Sequence, residues 1–133
     1  ITNRREIAAD DFFVGMYTTA LDEGEIITAV RFPIPKRAAY MKFKQPASRF
    51  SLVGVFVAQF DAGVRVAVTG ASSCVFRHAG LEAALSGSFT PQAAAAVVID
   101  ASDRNADLHA SAAYRANLIS VQTQRAVAKM TSP

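Results

Sequence analysis

Residues 52–60, Leu-Val-Gly-Val-Phe-Val-Ala-Gln-Phe, are apolar on both faces of an extended chain, the mark of a central strand. Asp61-Ala-Gly63 then predicts a three-residue hairpin loop, with glycine supplying the positive φ that such loops need. Val64-Arg-Val-Ala-Val68 returns as a second strand. Upstream, residues 39–44 alternate: Tyr40, Lys42 and Lys44 share one face, and Met41 and Phe43 the other. A further strand is expected over 26–32, which is β-branched and bounded by Gly24 and Pro33. Together these segments predict a mostly antiparallel sheet of three to four strands.

The remainder of the chain is helical in pattern. Asp10-Asp11-Phe12-Phe13 predicts the capped first turn of a short helix, its acids at the positive end. After His78 the sequence becomes alanine-rich. Leu81, Ala84 and Leu85 follow helical spacing, and Gly87 is the expected stop. Thr90-Pro91 is a cap and first-turn proline for a second helix through about Ile99. A third runs from near Ser111 to about Met130, with Tyr114, Leu118 and Val121 as its apolar stripe. Strands followed by three helices packed on one face define an α+β fold.

With 133 residues, 51% of them hydrophobic and 19% charged, the chain has the size and composition of one packed domain. Cys74 is the only cysteine, so an internal disulfide is excluded and a cytoplasmic location is the simplest expectation. No run reaches the ~18 apolar residues of a membrane span, and no signal-peptide pattern is present. Ile1-Thr-Asn-Arg-Arg-Glu-Ile7 reads like the middle of a longer sequence.

Few catalytic chemistries find residues here. His78 and His109 are far apart in sequence and lack partners at metal-ligand spacing. No basic residue closely precedes Cys74 to activate it, and Ser72 and Ser73 lie in no nucleophile elbow. The glycines form no phosphate cradle. No catalytic residue and no metal site is expected. What stands out is charge. From Ile26 to Phe60 there are six cations (Arg31, Lys36, Arg37, Lys42, Lys44, Arg49) and no carboxylate, whereas the first 25 residues carry six acids against two arginines. A one-signed strand face is either a solvated surface with snorkelling lysines or a surface that meets an anion. Phe32, Tyr40, Phe43 and Phe50 interleave with the cations, although alternation places Phe43 opposite the lysines.

Four segments, in order and in register over nearly the whole chain, carry a family resemblance. They are Ala9-Asp-Asp-Phe-Phe-Val-Gly15 with Thr18-Thr19, then Gly24-Glu-Ile-Ile-Thr-Ala-Val-Arg-Phe-Pro33. Tyr40-Met-Lys-Phe-Lys44 with Ser48-Arg-Phe50 follows, and last Ser111-Ala-Ala-Tyr-Arg-Ala-Asn-Leu118 with Arg125-Ala126. The chain resembles the C-terminal domain of the medium, FAD-carrying subunit of the molybdenum hydroxylases, the aerobic carbon monoxide dehydrogenase and xanthine dehydrogenase group. The resemblance implies that residues 1–24 are the tail of the FAD-binding domain or a linker, and that residues 25–133 form the C-terminal domain.

It also implies a function. Such a domain helps to enclose FAD, held mainly by a preceding domain, while electrons pass from molybdenum and iron–sulfur centres to the flavin. By this likeness Ile27 packs against the isoalloxazine, Lys44 lies near its pyrimidine end, and Phe50 covers the ring. The implied partners are a molybdopterin large subunit and an iron–sulfur small subunit, with a homodimer of the isolated domain left open and no nucleic acid. The isolated domain is expected to bind FAD poorly or not at all and to be non-catalytic alone. The alternative is a free-standing module using its basic strand face for nucleic acid or a protein partner. Two departures from the family pattern are Ser51, acidic in some relatives, and Ala113, often glutamate, which removes the capping-box partner of Ser111.

Overall fold

The structure is a computed structural model, and it describes residues 1–132. Its centre is a four-stranded, wholly antiparallel sheet of β3 (Arg37–Lys44), β4 (Ser51–Phe60), β5 (Gly63–Thr69) and β6 (Phe76–Arg77), in that spatial order. Ahead of it lie a short helix α1 (Ala9–Phe12) and a two-stranded hairpin, β1 (Phe13–Gly15) and β2 (Thr18–Thr19). Three helices follow: α2 (Ala79–Gly87), α3 (Pro91–Ala95) and α4 (Ala112–Thr131). The α+β fold expected from the sequence is thus present.

Alternation positions the core. Val53, Val55 and Val57 of β4 and Val66 and Val68 of β5 are fully buried on the face covered by helices, together with Leu81 and Leu85 of α2 and Ile119, Ala126 and Val127 of α4. Helix α4 lies over β3 and β4, and α2 over β5. The hairpin loop is tighter than expected: Phe60 pairs with Gly63, leaving Asp61 and Ala62 as the turn, and Gly63 takes φ +137°. Thr90 and Ser111 cap α3 and α4 by accepting the Ala93 and Tyr114 N–H groups.

Four local expectations are corrected. Residues 26–32 form no strand; a single bridge joins Ile27 to Thr2. β-propensity measures fit to neighbouring strands, and here none is available. Helix α3 stops at Ala95, short of Ile99. Gly87 is the last residue of α2 and takes no left-handed conformation; the Ser88 N–H closes the helix on the Ala84 carbonyl instead. On α4 the buried face is Arg115, Ala116, Leu118, Ile119, Gln122, Thr123, Ala126 and Val127, while Tyr114 is exposed. Leu118 of the expected stripe is buried and Val121 half-buried, but three of the buried residues are polar, so the apolar stripe marked only part of the face.

Candidate functional site

The six cations of residues 26–60 separate into two groups. Arg31 pairs with Glu6 at 3.1 Å and Lys36 with Asp61. Arg37 is tied down by the Gln59 side chain (2.6 Å) and the Met130 carbonyl (3.1 Å), with its guanidinium over the Phe89 ring. Lys42, Lys44 and Arg49 form no ion pair among the described residues. These three lie together where β3 turns into β4.

That turn has a defined shape. Gln45 N–H donates to the Phe50 carbonyl (2.9 Å) and Arg49 N–H to the Gln45 carbonyl (2.9 Å). The Gln45 side-chain oxygen accepts the Ser48 N–H at 2.7 Å. Arg49 sits at φ +63°, and its carbonyl accepts from Lys42 Nζ at 3.3 Å. Strand β3 then pairs irregularly: Phe43 faces Val53, but Lys44 faces Ser51, so Leu52 is the extra residue of a bulge.

Arg115 of α4 takes up the carbonyl freed by that bulge. Its buried guanidinium donates to the Leu52 carbonyl (2.7 Å), the Gly70 carbonyl (2.8 Å) and Asp107 Oδ2 (2.8 Å). The other Asp107 oxygen accepts from the His109 and Ala110 N–H groups, and these bonds hold its carboxyl below the usual carboxylate range. His109 meets the Phe50 ring edge-on, with centroids 5.8 Å apart. A chain of contacts therefore runs from α4 through the 107–110 turn to Phe50. Patterning did not single out Arg115, because a buried arginine looks like any surface cation until its partners are known.

Of the expected site residues, Lys44 and Phe50 flank one closed loop and are both exposed, Phe50 at 43%. Ile27, 45% exposed, lies apart in the N-terminal segment. No hydrogen bond among the described residues joins it to the Lys44–Phe50 loop. Its neighbourhood is fixed by Glu25, whose buried carboxylate accepts from Arg5 Nε and Nη2 (3.0 and 2.9 Å), the Asp22 N–H (2.9 Å) and the Thr2 hydroxyl (2.6 Å). Arg5 first, then the other two donors, lower its pKa from 4.5 to about 2. The N-terminal segment is fastened to the sheet domain by Arg77, which bonds both Asp10 (2.9 Å) and Glu82 (2.7 Å). The half-buried Cys74 lines an open groove of about 570 Å³ between the β1–β2 hairpin and residues 69–75.

The sheet and helices define the chain as an antiparallel α+β domain with helices covering one sheet face. No protein-family model matches it. Among curated proteins it is 34% identical over 137 residues to the nicotine 6-hydroxylase medium subunit of Paenarthrobacter nicotinovorans, covering 96% of this chain and 48% of that one. It is 30% identical over 136 residues to the carbon monoxide dehydrogenase medium chain of Hydrogenophaga pseudoflava, covering 93% and 47%. In fold it is similar to the reconstituted CO dehydrogenase from Oligotropha carboxidovorans (TM-score 0.78, 24% identity, 95% of this chain and 48% of that one). It is also similar to quinoline 2-oxidoreductase from Pseudomonas putida 86 (TM-score 0.75, 21% identity, 95% and 48%). The chain is a homologue of the medium subunits of nicotine 6-hydroxylase and carbon monoxide dehydrogenase, and it spans about half the length of these curated relatives.

Proposed function

We propose that the chain is the C-terminal domain of an FAD subunit in a molybdenum-hydroxylase-type oxidoreductase, where it closes over a flavin held mainly by polypeptide outside residues 1–133. The observation that carries this reading is Lys44, an exposed cation free of carboxylates, beside the half-exposed Phe50 ring on a hydrogen-bonded loop. In kind these residues suit a flavin edge: a cation for the pyrimidine end and an aromatic face to cover the ring, with Ile27 offering aliphatic surface. Bound FAD would pass on electrons received from molybdenum and iron–sulfur centres. Lys44 would hold positive charge where the ring gains electrons on reduction, favouring the reduced form. Phe50, backed by His109, would keep water from that edge.

The first 34 residues, on both sides of the proposed boundary at residue 24, build little core of their own. They contain two buried residues, Thr2 and Glu25, both polar. Among the described residues, ten of the sixteen large exposed hydrophobics belong to this stretch, including Met16, Tyr17, Phe32 and Ile34. A surface of that kind is suited to burial against another polypeptide. The flavin domain is the natural neighbour, and a molybdopterin large subunit and an iron–sulfur small subunit are the partners proposed for the complex, in the cytoplasm.

In the full-length flavoprotein, Lys44→Ala should lower the flavin midpoint potential by about 30 mV, equivalent to about 1.4 kcal/mol of charge stabilisation for a two-electron couple. Spectroelectrochemical titration checks this, and an unchanged potential would remove Lys44 from the flavin's surroundings.

A further inference from the structure

The sheet face turned away from the helices carries a second arrangement, built on Tyr40 and Gly54. In β3–β4 register Lys42 lies opposite Gly54 and Tyr40 opposite Phe56. A methyl placed on Gly54 would collide with the Tyr40 hydroxyl and come within 3.0 Å of its Cε2, so the hydroxyl end of the Tyr40 side chain reaches over the glycine. Tyr40 Oη and Ser51 Oγ share a 2.8 Å hydrogen bond that fixes the ring there. Its outer side stays open, at 45% exposure, and Phe56 beside it is similarly exposed. Around this aromatic surface stand Lys42, Lys44 and Arg49, none in an ion pair among the described residues. Between the start of β3 and the end of β5 the one carboxylate is Asp61, and Lys36 takes it.

We propose that this open face is a binding platform for a nucleotide, a planar heteroaromatic ring carrying phosphate. The ring stacks on Tyr40, and Lys42 and Arg49 hold the phosphate. A ring anchored through its hydroxyl and left 45% exposed suits stacking, because little side-chain freedom remains to be lost on binding. The cations at its edge, free of internal carboxylates, are what a phosphate needs. The modest net charge of +3 favours a single nucleotide over a long strand. The proposal uses Tyr40 and Lys42 and does not rest on the flavin assignment, so either can fail while the other stands.

The test is an NMR titration of the 133-residue chain with AMP, FMN, inorganic phosphate and a twelve-residue oligothymidylate (roughly one groove's length of strand), each at low and physiological salt. AMP and FMN are expected to saturate, with shifts confined to Tyr40, Lys42, Gly54, Phe56 and the Arg49 loop. Tyr40→Leu should weaken AMP about tenfold, the loss of one stacked base. Lys42→Ala, at an exposed position, should weaken it severalfold, and Lys36→Ala should leave it unchanged. The proposal is overturned if phosphate alone gives the same shifts, or if a folded Tyr40→Leu or Lys42→Ala variant binds as the parent does. It is equally overturned if only the oligonucleotide binds, with affinity that collapses at physiological salt, since that is general strand electrostatics.

Discussion

Single residues in this protein hold positions that no pattern reveals. Gly70 is at φ +80°, and a Cβ there would lie 2.6 Å from the Ser51 carbonyl oxygen and 2.7 Å from that of Leu52. Both are backbone atoms at the β4 bulge and cannot move aside as a side chain would. Gly70→Ala should therefore cost roughly 2–4 kcal/mol, combining left-handed strain with overpacking. Thermal denaturation checks it, and a loss under ~0.5 kcal/mol, ordinary for a neutral surface change, would show that the strand ends repack easily.

Glu25 sets a pH limit of its own. Its folded pKa, lowered from 4.5 to about 2, lies below the unfolded value. The stability it contributes is therefore complete above pH 4.5 and is lost as pH falls toward about 2. Amide exchange at Asp22 and Arg5 should rise over that window before the core strands open. Simultaneous opening of both regions would contradict a separate N-terminal tie. The acids and cations of this tie were visible in the sequence as residues; their pairing was not, because Arg5 and Glu25 meet only through the folded path of the intervening hairpin.

At the scale of elements, the sheet was the legible part. Strands β3, β4 and β5 follow alternation and the two-sided apolar run, because local pattern and tertiary pairing agree there. The segment 26–32 shows the converse: a strand-like composition without a partner edge stays irregular. Helix α4 was located correctly by its Ser111 cap, yet its orientation only in part, since Arg115, Gln122 and Thr123 occupy the buried face. Thr123 answers its burial by donating to the Ile119 carbonyl at 2.7 Å. Gln122 does not; neither amide atom has a partner among the described residues. A buried, unbonded amide costs about 1–3 kcal/mol, so Gln122→Met, similar in volume, should raise the melting temperature by a few degrees. A lower melting temperature would mean that the amide is satisfied in solution.

For the whole molecule, two features bear on function: an apolar N-terminal stretch that builds little core of its own, and a cationic corner formed by Lys42, Lys44 and Arg49. The charge asymmetry behind the second was legible in residue counts. Its localisation was not, because Lys36, Arg31 and Arg37 are neutralised or engaged by partners distant in sequence. Of the expected flavin contacts, Lys44 and Phe50 share one loop, whereas Ile27 stands on the separate segment fastened by Arg5 and Arg77.

The most direct measurement is FAD titration, by flavin fluorescence or calorimetry, against this chain and against a polypeptide extended to the full length of its relatives, each with and without Lys44→Ala. The account predicts tight binding by the longer polypeptide, at most weak binding by this chain, and weaker binding by the longer polypeptide when Lys44 is replaced. No FAD binding by either would contradict it and leave the cationic corner to another anion.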